Sequence, residues 1–162
     1  MQKAQSLRAA IVAAVPEFRT NPDRLTIWVE NGVGESRMTK TLAFGFTYRL
    51  NVLLVECTTD IALIALAVFQ WLRVNQPALM VPGAKGFGFE ADILDNSSAD
   101  IQLQLDLTEQ ITVQPVDGGG YDLAYLEEPD PLFDDALGFD GGEGPLAPIP
   151  DLAEVRLTAA PQ

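Results

Sequence analysis

From position 42 the even residues Leu42, Phe44, Phe46, Tyr48, Leu50, Val52 and Leu54 are large and apolar, while Ala43, Gly45, Thr47, Arg49 and Asn51 between them are small or polar. Strand side chains point alternately to opposite sides, so this spacing predicts a long strand with a core face and a second face that meets solvent or another subunit. At Thr58-Thr59-Asp60 the period changes. Ile61, Leu63, Ile64, Leu66, Val68, Phe69, Trp71 and Leu72 follow with almost nothing polar until Gln70 and Arg73, which predicts a helix covered on most of its circumference. Thr58 or Thr59 is placed to cap it, with Asp60 in the first turn complementing its dipole. Pro77 disfavours helical geometry at Gln76, so the helix is expected to end near Asn75.

The rest of the chain yields shorter elements. Leu7, Ile11, Ala14 and Val15 recur at helical spacing before Pro16, predicting an amphipathic first helix over 4–15. After a turn at Asn21-Pro22-Asp23, Leu25, Ile27 and Val29 alternate with Thr26, Trp28 and Glu30, a first strand with Trp28 on its outer side, either against the first helix or at a subunit contact. Asn31-Gly32 followed by Gly34 reads as a hairpin tip, with the long strand starting near Met38. Phe87, Phe89, Ala91 and Ile93 predict a third strand with an acidic outer side, and Asp95-Asn96-Ser97-Ser98 a turn. Ile101, Leu103, Leu105 and Leu107, alternating with Gln102, Gln104, Asp106 and Thr108, give the clearest half-buried antiparallel strand. Glu109 falls on its apolar side: a bulge would swing it outward, or it sits against another chain or a basic partner such as Arg49. After Gly118-Gly119-Gly120, Tyr121, Leu123 and Tyr125 allow a short edge strand.

Composition then changes the picture at the end of the chain. Of 162 residues, 23 are acidic and 10 basic, none is histidine, and the formal net charge is −13. Nine of those acids lie from Glu127 onward, among prolines and glycines with Arg156 as the single base, so this stretch is expected to be an acidic extension with too little apolar surface to fold alone. Leu132, Phe133, Leu137 and Phe139 are spaced like anchors that order along a neighbouring subunit. The remainder is long enough for one domain burying roughly 68–70% of its unfolded surface. No signal peptide is expected at Leu7–Val15, and the apolar helix is shorter than the roughly 20 residues of a bilayer span.

The same composition excludes several chemistries. A nucleic-acid binder needs a basic footprint, which this chain lacks. Without histidine, the commonest metal ligand and general base are missing, and the lone Cys57 has no such partner to activate it; a small core residue is expected there. Asp92 with Asp95, or Asp100 with Asp106, are carboxylate pairs in turns or on outer strand sides, where nothing forms a pocket. Asp92, Asp95, Asn96 and Asp100 lack calcium-loop spacing, and Gly83, Gly86 and Gly88 are not followed by a phosphate-binding lysine. No enzyme, cofactor or metal is expected. An acidic decoy or inhibitor that binds a basic host protein stands as an alternative to a structural role.

Several runs together resemble the tail completion protein R family of peduovirus-like, contractile-tailed phages. They are Gln5-Ser6-Leu7-Arg8 with Ala14-Val15-Pro16, Asn21 to Leu25, Phe44 to Asn51, Trp71-Leu72-Arg73-Val74-Asn75-Gln76-Pro77, Phe89 to Asn96, and Leu105 to Glu109. The resemblance covers about residues 2–128 in collinear order, departs at Gly45, and stops before the extension. It implies an α+β fold of the tail-terminator type, a mixed, mainly antiparallel sheet packed with two main helices over residues 1–127, with 128–162 as the acidic extension. It further implies a ring homo-oligomer, a hexamer, that caps the head-proximal end of the tail, ends tube and sheath polymerisation and meets a neck or head-completion protein. A headless tail-like particle would use a similar protein as a collar. Assembly would take place in the bacterial cytoplasm, without membrane or sequence-specific nucleic-acid binding. The candidate contact residues are Trp28, Gly45, Thr47, Arg49, Glu109, Phe133 and Phe139, with the small and polar side of the long strand as the leading surface between subunits. A ring of such acidic subunits must cohere through apolar, complementary surfaces, and an acidic bore would not retain passing DNA.

Overall fold

The computed structural model describes residues 1–36 and 42–129. Helix α1 (Gln2–Ala14) and the short α2 (Pro16–Thr20) precede strand β1 (Leu25–Ser36). Strand β2 (Phe44–Cys57) then leads into helix α3 (Ile61–Asn75), followed by β3 (Gly88–Ile93), β4 (Ala99–Pro115) and β5 (Tyr121–Tyr125). All strand pairs are antiparallel. The sheet order is β1-β2-β4-β3, and β5 also pairs with β4. The fold is thus α+β, with an antiparallel sheet and three helices.

Both long helices lie on one side of this sheet. Leu7 and Ile11 of α1, Val68 and Leu72 of α3, Leu50, Val52 and Leu54 of β2, and Leu103, Leu105 and Leu107 of β4 are fully buried in one cluster. Each such side chain contributes about 1.5–3 kcal/mol relative to exposure. The even positions of β2 face this core from Tyr48 onward, whereas Phe44 and Phe46 are half-buried and Leu42 is exposed.

Three local expectations are corrected. Asn31-Gly32 is not the hairpin tip: β1 runs on to Ser36, and Asn31 adopts φ 53° where the register slips between Glu30 and Val33, a bulge at a residue type that tolerates the left-handed region. Met38, the expected start of the long strand, falls outside the described residues, and β2 is described from Phe44. The α3 cap is Asp60, whose carboxylate accepts from Ala62 N–H at 2.7 Å, while the Thr58 hydroxyl and the Thr59 N–H donate to Glu17. As expected, α3 is covered on most of its circumference, with Ala62, Phe69, Arg73 and Val74 as its exposed residues. Finally β3 forms where expected, but Phe89 and Ile93 stay exposed instead of joining the core.

β3 and β5 share one flank of β4, pairing with residues 99–104 and 111–115, and leave a gap between them. Gln76, just past α3 and almost fully buried, closes part of it: its Oε1 accepts from Thr108 N–H at 3.2 Å. A side-chain amide thereby satisfies a backbone donor that no strand reaches.

Candidate assembly surface

With helices on one side only, the other side of the sheet has no covering layer among the described residues. The β2 register sets it residue by residue: Gly45 lies opposite Gln110, Thr47 opposite Thr108, Arg49 opposite Asp106 and Asn51 opposite Gln104. Trp28 of β1 lies opposite Asn51 on the other flank. Trp28, Gly45, Thr47 and Arg49 are therefore brought together on one face, as alternation requires.

Local contacts hold this face in place. Arg49 and Asp106 form a bidentate pair, with Nε to Oδ1 at 2.9 Å and the second nitrogen to Oδ2 at 3.2 Å. The carboxylate of Asp106, followed by that of Glu30, raises the Arg49 pKa further. Trp28 Nε1 donates to Glu30 Oε1 at 2.9 Å, leaving its ring lying along the surface rather than under α1. Gly45 is buried, and a Cβ there would stand 2.7 Å from the Gln110 amide, so the glycine makes room for Gln110 within its own chain. Asn51 is the residue that patterning overlooked. Expected on an open polar side, it is 0% exposed, accepts from Gln102 Nε2 at 3.3 Å, and has an amide nitrogen with no partner. Alternation places Asn51 on this side; only the long neighbours Trp28, Gln102 and Gln104 bury it.

Glu109 does not join this surface. The β2–β4 register runs through Phe46 opposite Glu109 without a slip, so there is no bulge and the side chain stays on the helix side, 2% exposed. Its partner is not Arg49. Its Oε1 accepts from Lys3 N–H at 2.6 Å, and Oε2 lies 3.9 Å from the Met1 amino group. Lys3 Nζ in turn donates to Gln76 Oε1 at 2.8 Å and Glu128 Oε1 at 2.7 Å. Lys3, Glu109 and Glu128 line a cleft of about 370 Å³ between α1, the end of α3 and the chain after β5. Tyr48 lies beneath it: burial first, then the Glu109 carboxylate, raise the phenol far above its ordinary value, so it remains protonated. Phe133 and Phe139 lie outside the described residues.

The remaining polar groups have structural roles. Cys57 is buried, and burial followed by the Glu17 carboxylate pushes its thiol up to about 12, well away from a reactive thiolate. Asp95 closes its own turn by accepting from Ser97 and Ser98 N–H at 2.7 and 2.8 Å. Asp100 accepts from Glu56 N–H at 2.7 Å, where β2 bulges and Glu56 takes φ 48°. Among the described residues no helix is long and apolar enough to cross a membrane.

The P2 phage tail completion protein R (GpR) family matches residues 1–129. The chain is 42% identical over 134 residues to the tail completion protein R of Escherichia phage P2, covering 81% of this chain and 86% of that protein. No solved structure matches the chain significantly.

Proposed function

This chain belongs to the phage tail completion protein R family, and on that premise we propose that it acts as a tail terminator or collar: a ring, six-fold, that caps the head-proximal end of a contractile tail. It ends polymerisation of the tube and sheath proteins and offers its free side to a neck protein, or to none in a headless particle. It does this without catalysis or a cofactor. Assembly begins in the bacterial cytoplasm and the product stays with the virion tail.

The observation that carries the ring is the sheet face bearing Trp28, Thr47 and Arg49, left without a covering layer among the described residues although the helices pack against β2 and β4 on the opposite face. A broad sheet face of mixed tryptophan, amide and paired charge suits a contact between identical subunits, being apolar and hydrogen-bonding in turn. The Asn51 amide hydrogen atoms without a partner lie at its centre. Residues 1–127 form the assembling domain and 128–162 an extension that lies on a neighbour. The bore is acidic and lets DNA pass without holding it.

Negative-stain microscopy of the purified protein tests the ring, with rings of about six subunits as the expected result. A monomer that stays monomeric when tail tubes are added would overturn it. Trp28→Glu is expected to abolish rings while leaving the circular dichroism of the subunit unchanged; unaffected rings would move the contact elsewhere.

A further inference from the structure

β3 lies at an end of the sheet, and among the described residues neither of its faces is covered. On the helix side Phe89 is 57% and Ile93 78% exposed, although Leu103 and Ile101, on the same side of the adjoining β4, are buried. The cause is reach: α3 packs over β2 and β4 and stops short of β3. Between the start of α3 and β3 runs an open groove of about 620 Å³, walled by Ile61, Ala91, Ile93 and Ile101, with Asp95 at its rim. On the opposite side Glu90 and Asp92 are exposed, and among the described residues neither has an ion-pair partner. One strand edge therefore separates an apolar side from an acidic one.

We propose that β3 is a docking edge for an extended segment of another protein, which adds to the sheet as a further strand and alternates apolar residues with lysine or arginine. Strand addition supplies main-chain hydrogen bonds of no particular sequence, and side-chain alternation supplies the selection. Every second residue of the incoming strand lies beside Phe89, Ala91 and Ile93 and must be apolar. Those between lie beside Glu90 and Asp92 and must be basic, since opposite charges across a strand pair stabilise and like charges oppose.

The charges also argue against a second copy of this chain as occupant. A copy's β3 would set Glu90 and Asp92 against the same acids. A copy's β1, at the far end of the sheet, offers Thr26, Trp28 and Glu30 on its polar side, with the adjacent Arg24 held by Glu56 at 2.7 Å, and a copy's β5, which also has one paired side, carries Asp122 and no base. Acids on an edge strand deter self-pairing, while exposed apolar residues beside them mark a contact surface. This edge differs from the sheet face assigned to the ring and stands whether or not a ring forms.

Fluorescence anisotropy of the full chain with a labelled peptide Thr-Val-Lys-Val-Lys-Val-Thr provides the test. Two control peptides are needed: one with glutamate replacing lysine, and one of the same composition with the lysines adjacent. The alternating basic peptide is expected to bind best. Glu90→Lys with Asp92→Lys should weaken it by roughly tenfold or more and create binding of the glutamate peptide. Ile93→Asp should weaken the basic peptide with unchanged circular dichroism. Equal binding of the reordered peptide would reduce the effect to net charge and overturn the proposal, as would no binding at all. Self-association of the wild-type chain that Ile93→Asp abolishes would overturn it in favour of a second copy.

Discussion

Single side chains act mainly through the turns and termini they tie down. Glu17 on α2 accepts from Thr58 Oγ1 at 2.9 Å, Thr58 N–H at 3.2 Å, Thr59 N–H at 3.1 Å and the Cys57 thiol at 3.3 Å, so one carboxylate holds the β2–α3 turn. Partial burial pushes its pKa up, but the bonds from Thr59, Thr58 and Cys57 outweigh this and keep it below the ordinary 4.5. A lowered folded-state value means that the stabilisation is present above the unfolded value and is lost as pH falls through the folded one. Glu17→Gln should therefore cost about 1–3 kcal/mol near pH 7. In urea titrations the difference from wild type should shrink below about pH 4; a constant difference would show that the charge is not what matters. Glu109→Ala leaves the buried Lys3 N–H without its acceptor and should cost about 1–3 kcal/mol, and Glu109→Gln, which keeps an acceptor, should recover most of it.

At the scale of elements, α3 joins the two layers. Trp71 is 3% exposed between the helices, and its Nε1 donates to Ser6 Oγ of α1 at 2.9 Å. Trp71→Ala should cost about 3–5 kcal/mol in denaturant unfolding by leaving a cavity. Trp71→Phe, which loses the hydrogen bond and less volume, should cost less; equal losses would place the cost in the hydrogen bond instead. The helix was legible from its apolar run and its end from Pro77. Its coverage was legible too, since Ala62, Phe69, Arg73 and Val74 are its exposed residues. For β3, alternation predicted the strand but not that the layer above stops short of Phe89 and Ile93, because hydrophobicity reports what a side chain tolerates and not what reaches it. The bulge was hidden for another reason: Asn-Gly favours positive φ both in a hairpin turn and in a strand bulge, and only the partner strand decides which.

For the whole molecule, the family relation covers the domain and ends where the acidic extension begins. Removing residues 130–162 should leave a folded domain with unchanged midpoint in thermal unfolding, because the core cluster and the Lys3–Glu128 pair at 2.7 Å lie before the cut. Tails of normal length made with the shortened protein would show that the extension is dispensable for capping. A lowered midpoint would show that the extension packs on its own domain.

Sequence by itself determined the α+β class, which parity of positions along β2 and β4 is apolar, and that Gly45, Thr47 and Arg49 share a face, because strand and helix periods are local consequences of backbone geometry. The tertiary structure decided everything that depends on coverage. It buried Asn51 under its cross-strand neighbours and gave Glu109 to Lys3 and the Met1 amino group instead of Arg49. It also assigned Gly45 to Gln110 and left β3 open on both sides. Periodicity tells which way a side chain points; only packing of distant segments tells what, if anything, it meets.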